Sequence, residues 1–242
     1  MLLAIDVGNT RIKAAVFEQY TLLEKVVFSN AELSNQVDFI LKKYPKIENL
    51  AVASVGTLEN EAFSKINSNV KVYFVTKDIH FPFHNLYETP NSLGIDRMVL
   101  ATGAVLQFPN KNRLVIDAGT CVTYDFIDAE NNYLGGAISP GIRLRYESLH
   151  NYTAKLPLLT KSIPEKLIGN STEDSIHSGV INGLTNEIDG FIEHYQQRYA
   201  NFIIILTGGD AEFLAKRLKN TIFANSNFLL ESLNQTFQYN HK

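Results

Sequence analysis

RLVIDAGT, residues 113–120, repeats the pattern of LLAIDVGNT at residues 2–10. Each copy reads as an apolar run of strand length, an aspartate, a small residue, a glycine and a threonine. The segments after the two copies also match. After the first come RIKAAVF (11–17) and YTLLEKVVFS (20–29); after the second come CVTYDFID (121–128) and NYLGGAIS (132–139). Both pairs have the length and composition of two further strands joined by short turns. The chain is therefore read as an internal duplication, with its boundary near residue 108 around QFPNKN: residues 1–108 form one domain and 109–242 the other.

Each half then alternates strands with helices. In the first, SNQVDFILKKY (34–44) places Val37, Ile40, Leu41 and Tyr44 at helical spacing and Pro45 stops it. NLAVASV (49–55) and VKVYFV (70–75) read as buried strands, with NEAFSKI (60–66) as a short helix between them. In the second, Pro140-Gly141 opens a helix, and residues 171–200 are largely helical, with Ile176, Val180, Leu184, Ile188 and Phe191 on a stripe that could pack on a second subunit or on its own sheet. NFIIILTGGD (201–210) is a buried strand ending on glycines. A mixed sheet covered by helices is expected for each half. The last residues, NQTFQYNHK, are weakly patterned and expected to be partly disordered.

The bulk composition excludes several classes. With 242 residues, 45 % hydrophobic and 19 % charged, the chain can bury a real core. A net charge of −3 offers no basic face for nucleic acid or membrane. The single cysteine, Cys121, cannot form an internal disulfide and fits a reducing cytoplasm. Asp6 comes after only five residues, too few for the apolar core of a signal peptide, and no apolar run reaches membrane-spanning length.

The motifs suggest phosphate chemistry. Gly8 permits a tight turn and close approach of a ligand to the backbone. Asn9 and Thr10 add donors, the amides after the glycine can form an anion nest, and Arg11 and Lys13 add charge. Asp6 would repel bare phosphate but suits one whose charge is carried by Mg²⁺. A plain hairpin in which Asp6 caps its own turn uses the same residues. The second copy, with Asp117 and Thr120, favours two loops gripping one polyphosphate. In TGGD (207–210), Gly208 and Gly209 suit approach of a nucleobase or ribose, although Asp210 could simply cap the helix AEFLAKRL.

In this order and spacing, DVGNTRIK, GIDR (94–97), DAGT, GGAISPG (135–141) and TGGD resemble the type III pantothenate kinases, within the superfamily of sugar kinases, heat-shock ATPases and actin. The resemblance implies two similar α/β domains of the RNase H-like, actin-like ATPase type, with a nucleotide cleft between them. It implies ATP-dependent phosphorylation of pantothenate at its 4′-hydroxyl, the first step toward coenzyme A, by a cytoplasmic homodimer needing Mg²⁺ and K⁺ or NH₄⁺. Residue by residue, it makes Asp6, Val7, Gly8, Asn9, Thr10, Arg11, Ile12 and Lys13 the first phosphate loop, with Asp6 organising Mg²⁺. Thr120 contacts phosphate, Asp117 holds the monovalent cation, and Gly208 and Gly209 take the adenosine. Gly94, Ile95, Asp96 and Arg97 bind pantothenate, with Asp96 as the base; Tyr87 lines that pocket, and Thr172 in GNST reaches it from the partner subunit.

Read without the resemblance, the same residues have plainer roles. Asp96-Arg97 could be a surface pair, Tyr87 loop packing in HFPFHNLYE, Thr172 a helix cap, His150 a structural histidine and Cys121 a packing residue. Another kinase or a phosphohydrolase on this fold would keep both loops but need no pantothenate pocket. A non-catalytic nucleotide-binding regulator would not need the carboxylate of GIDR.

Overall fold

The computed structural model describes residues 1–8, 10–54, 63 and 70–241. The chain divides into two units, one of Met1–Asn110, Asn131–Leu134 and Asn227–Lys242, the other of Lys111–Glu130 and Gly135–Ser226.

Unit 1 is built on β1 (Leu2–Val7), whose six residues are all buried. It pairs antiparallel with β2 (Ile12–Glu18) and parallel with β4 (Asn49–Ser54). β3 (Thr21–Phe28) and β5 (Lys71–Phe74) complete the order β3-β2-β1-β4-β5. Residues 3, 5 and 7 of β1 pack with Leu33, Val37 and Ile40 of helix α1 (Leu33–Lys43). Strand alternation turns Leu2, Ala4 and Asp6 to the opposite face. Helices α2 (Ile95–Gln107) and α7 (Phe228–Asn240) pack on this sheet and on each other. Their crossing is close: a Cβ at Gly103 would collide with Ser232 Oγ, and Ser232 is wholly buried. The disorder expected for NQTFQYNHK is thus overturned as far as Asn240, because these residues continue α7 and Asn234 and Thr236 are buried. The two-residue strand β6 (His84–Asn85) pairs parallel with Asn132 and Tyr133. The expected helix over 60–66 lies outside the described residues, save Phe63.

Unit 2 repeats the plan. Its central strand β7 (Asn112–Ala118) pairs antiparallel with β8 (Cys121–Ile127) and parallel with β10 (Phe202–Thr207). Adding β9 (Asn132–Pro140) beyond β8 and β11 (Phe223–Ala224) beyond β10 gives β11-β10-β7-β8-β9, the order of the first sheet read from its other edge. Helix α3 (Ile142–Asn151) comes after β9, capped by Gly141. A long helix then runs as α4 (Thr172–His177), a π-helical turn (Ser178–Asn182) and α5 (Gly183–Arg198). Its stripe of Ile176, Val180, Leu184, Ile188 and Phe191 lies against Leu114, Ile116, Tyr124 and Phe126. The alternation of β7, β8 and β10 leaves Asp117, Thr123 and Thr207 on the opposite face. A short helix, α6 (Ala211–Ala215), comes directly after TGGD. Among the described residues, no helix is long and apolar enough to cross a membrane.

Candidate active site

In unit 1, Asp6 sits at the end of β1, 4 % exposed, opposite Lys13 of β2 in the antiparallel register. Their charged groups are 3.9 Å apart. Val7 and Ile12 point into the core, so only their backbones are available to a ligand. Thr10 and Arg11 are exposed in the turn, and a Cβ at Gly8 would lie 3.1 Å from the Arg11 carbonyl. Asn9 lies outside the described residues.

The GIDR motif forms the N-terminus of α2, with Gly94 as its cap and Ile95 and Asp96 in its first turn. Asp96 folds back so that its Oδ1 accepts from the Arg97 amide at 2.9 Å. That pose requires glycine at 94, where a Cβ would meet Asp96 Oδ1. Burial pushes the Asp96 carboxyl above its ordinary range, against the hydrogen bond from the Arg97 amide and the positive charges of Arg97 and Lys13. Lys13 of β2 is near enough for its charge to act on the Asp96 carboxyl. Arg97 is 5 % exposed and its guanidinium lies 5.5 Å from the centre of the Tyr87 ring, a cation–π contact. The Tyr87 ring in turn meets Tyr133 edge-on at 6.2 Å. The surface-pair reading of Asp96-Arg97 fails, and Tyr87 carries the arginine rather than merely filling a loop.

In unit 2, Asp117 lies at the end of β7, with Thr123 of β8 opposite it on one side and Thr207 of β10 on the other. The hydroxyls of both threonines are buried and accept or donate no hydrogen bond among the described residues. The sequence reading missed both, although pairing across a short turn between β7 and β8 sets Thr123 opposite Asp117. Gly208 has φ +98°, and a Cβ there would strike the Ala118 carbonyl and Asp117 Oδ1. The Asp210 amide donates to the Ala118 carbonyl at 3.0 Å. The absent side chain at 208 thus serves the protein's own loop, while Gly209 has open space around its Cβ position and is the glycine a ligand can approach. Asp210 is not a side-chain cap of α6; it pairs with Lys161 at 2.5 Å. Cys121 is exposed rather than packed, and His150 Nδ1 bonds the Leu156 carbonyl at 2.8 Å.

Thr172 is exposed in the first turn of α4. The cap is Ser171, whose Oγ accepts from the Asp174 amide at 3.1 Å, so Thr172 is left available. It lines a cavity of about 970 Å³ with Arg145, Ser148, Asn170, Ser175 and Ile176 among its walls. The site residues of unit 1 are not part of that lining.

A five-stranded sheet and a six-stranded sheet that share one five-strand plan, each with Asp-x-Gly at the end of its central strand, define the fold class of the sugar kinases and actin-like ATPases. Solved structures share this fold. A Campylobacter jejuni protein described as a Baf family transcriptional activator aligns over 99 % of this chain and 98 % of its own, at 21 % identity and a TM-score of 0.65. A Listeria monocytogenes protein described as an N-acetylmannosamine kinase covers 98 % and 99 %, at 12 % and 0.54. Sequence narrows the class further. The family profile for type III pantothenate kinase matches residues 2–194. The type III pantothenate kinase of Flavobacterium johnsoniae is 65 % identical over 99 % of this chain and 98 % of its own, and that of Bacteroides fragilis (strain YCH46) 39 % over 100 % and 99 %. The chain belongs to the type III pantothenate kinase family, and its reaction is the ATP-dependent phosphorylation of pantothenate that begins coenzyme A synthesis.

The raised Asp96 pKa has a consequence for stability. The folded chain holds this proton to higher pH than the unfolded chain, so ionisation costs stability as pH rises through the folded-state value. Below the ordinary carboxylate range near about 4, both states are protonated and the cost vanishes. Asp96→Asn is therefore expected to melt above wild type at neutral pH, with the two curves converging in acid. Identical melting temperatures at neutral pH would overturn this account of the burial.

Proposed function

We propose that phosphoryl transfer is direct and in line, with Asp96 as the base. The observation that carries this is the half-buried Asp96 carboxylate, fixed by the Arg97 amide and near the Lys13 charge. The 4′-hydroxyl oxygen attacks the γ-phosphorus as the bond to the β-bridging oxygen breaks, and its proton passes to Asp96. Little covalent work is left to the protein, so positioning and charge neutralisation supply most of the catalysis. Asn9, Thr10, Lys13, Thr120 and the turn amides hold phosphates, while Val7, Arg11 and Ile12 shape the loop. The bound nucleoside lies at Gly209, beside Gly208. Gly94, Ile95, Arg97 and Tyr87 place pantothenate.

The donor sets fit the two expected ions differently. Asp6 has an ammonium beside it, which suits a carboxylate reaching Mg²⁺ through its water shell rather than a closed cage. Asp117 stands between Thr123 and Thr207, whose buried hydroxyls make no hydrogen bond among the described residues, an all-oxygen set suited to K⁺ or NH₄⁺. In this reading the halves 1–108 and 109–242 each contribute one phosphate loop, and the enzyme works in the cytoplasm.

Homodimer formation is also proposed, but on a different surface from the helix 172–198, whose apolar stripe is buried in its own unit. Residues 152–171 have no regular secondary structure and expose Tyr152, Leu167 and Ile168 at 88 %, 75 % and 81 %. This apolar segment borders the cavity containing Thr172 and suits a second copy of the chain, into whose pantothenate pocket Thr172 would reach.

Three outcomes are expected. Asp96→Asn keeps the shape but cannot take the proton, so kcat falls by about 10²–10⁴-fold with KM for ATP nearly unchanged; near-normal turnover would place the base elsewhere. The wild-type rate rises when K⁺ or NH₄⁺ replaces Na⁺, and Asp117→Ala removes that response; equal rates in all three salts would rule out the cation site. In sedimentation the protein is a dimer, and Leu167→Asp with Ile168→Asp yields a monomer that has lost activity; a fully active wild-type monomer would exclude the shared pocket.

A further inference from the structure

The turn Ser139-Pro140-Gly141 joins β9 to α3 and lies on the backbone of the second Asp-x-Gly-Thr loop. The Gly141 amide donates to the Thr120 carbonyl at 3.0 Å. A Cβ at Gly141 would run into the carbonyls of both Gly119 and Thr120, so no other residue permits this approach. The two segments are in direct backbone contact.

From the other side the turn is held by Glu187 of α5. One carboxylate oxygen accepts from Ser139 Oγ at 2.5 Å and from the Tyr124 hydroxyl at 3.1 Å. The other accepts from Arg145 at 2.5 Å. Arg145 closes the ring through its Nε, which donates to the Pro140 carbonyl at 2.8 Å. Burial pushes the Glu187 carboxyl up, but the hydrogen bonds from Ser139 and Arg145 outweigh it and hold the carboxyl below its ordinary range. The group is ionised at neutral pH, and its bonds are of the charge-assisted kind, roughly twice as strong as neutral ones. Arg145 and Glu187 are each about one-quarter exposed, so the pair is shielded from much of the solvent screening that weakens surface pairs.

We infer that Glu187 is a positioning residue for the second phosphate loop, acting through Ser139, Arg145 and the turn at 139–141 rather than by touching substrate. The inference rests on residues 117–120 serving as a phosphate loop. Removing the clamp lets Gly141, and with it the Thr120 backbone, shift by a fraction of an ångström to an ångström, a displacement able to cost up to about 100-fold in kcat/KM.

The test is Glu187→Gln in the full-length enzyme. KM for ATP is expected to rise while KM for pantothenate stays at its wild-type value, and the Gly141 amide exchanges hydrogen faster. Because Glu187→Gln leaves the Arg145 charge without its partner, the double variant Glu187→Gln/Arg145→Met is measured beside it. The double variant is expected to recover melting temperature but not KM for ATP, which a merely structural role would not produce. Thr120→Ala separates the inference from the reading beneath it. If Thr120→Ala raises KM for ATP and Glu187→Gln does not, the clamp is overturned alone. If Thr120→Ala also leaves that KM unchanged, the phosphate-loop reading falls and the inference with it. A change confined to KM for pantothenate would overturn the clamp as well, assigning Arg145 to the cavity it lines.

Discussion

A central strand hydrogen-bonded antiparallel on one flank and parallel on the other, β1 in one unit and β7 in the other, leaves its terminal aspartate between two neighbours set by register. For Asp6 those neighbours are Lys13 and Ala53; for Asp117 they are Thr123 and Thr207. The two units share one backbone plan and differ at the flanking positions. A carboxylate beside an ammonium and a carboxylate between hydroxyls have different preferences for ions, although their strands are alike. Chemical asymmetry is thereby obtained from a symmetric scaffold by changing one side chain on each flank.

The same economy governs the start of α2. Gly94 gives up a side chain so that Asp96 can turn back onto the Arg97 amide, and burial then holds the carboxyl above its solution pKa. That environment is unfavourable to the ionised form and favourable to a base whose proton affinity approaches that of its surroundings. Arg97, buried and stacked on Tyr87, cannot leave without breaking a cation–π contact, so the guanidinium is held in a fixed direction. Desolvation of charge is concentrated on the adjacent residues Asp96 and Arg97, while the sheet beneath them is packed in the ordinary way.

The strand runs and the repeated Asp-x-Gly-Thr were legible because they are local: a period-2 or wholly apolar run, a turn residue and a short spacing. The expected strands β1 to β5, β7 to β10 and the helix α1 all stand where the pattern puts them. What could not be read is what depends on long-range register. Thr207 stands next to the quoted glycines, yet its place beside Asp117 exists only after β10 pairs with β7. The stripe of the helix at 172–198 was visible, but periodicity does not say which apolar surface covers it; the chain's own sheet does. NQTFQYNHK shows weak patterning because Asn234 and Thr236 are buried polar residues, which donate to the Gln19 and Ser232 carbonyls.

The position of α7 affects how the chain comes off the ribosome. Every strand of unit 2 is synthesised before residues 228–240, and those residues complete the core of unit 1 against α2. A growing chain can therefore finish the later half first, while the earlier half, though made earlier, waits with one face of β1 and β4 uncovered. Domains usually fold in the order of their synthesis; here the core of unit 1 cannot be completed until unit 2 has been made. The helix bearing Asp96 packs against α7, so a chain interrupted before residue 228 would leave that face of α2 bare.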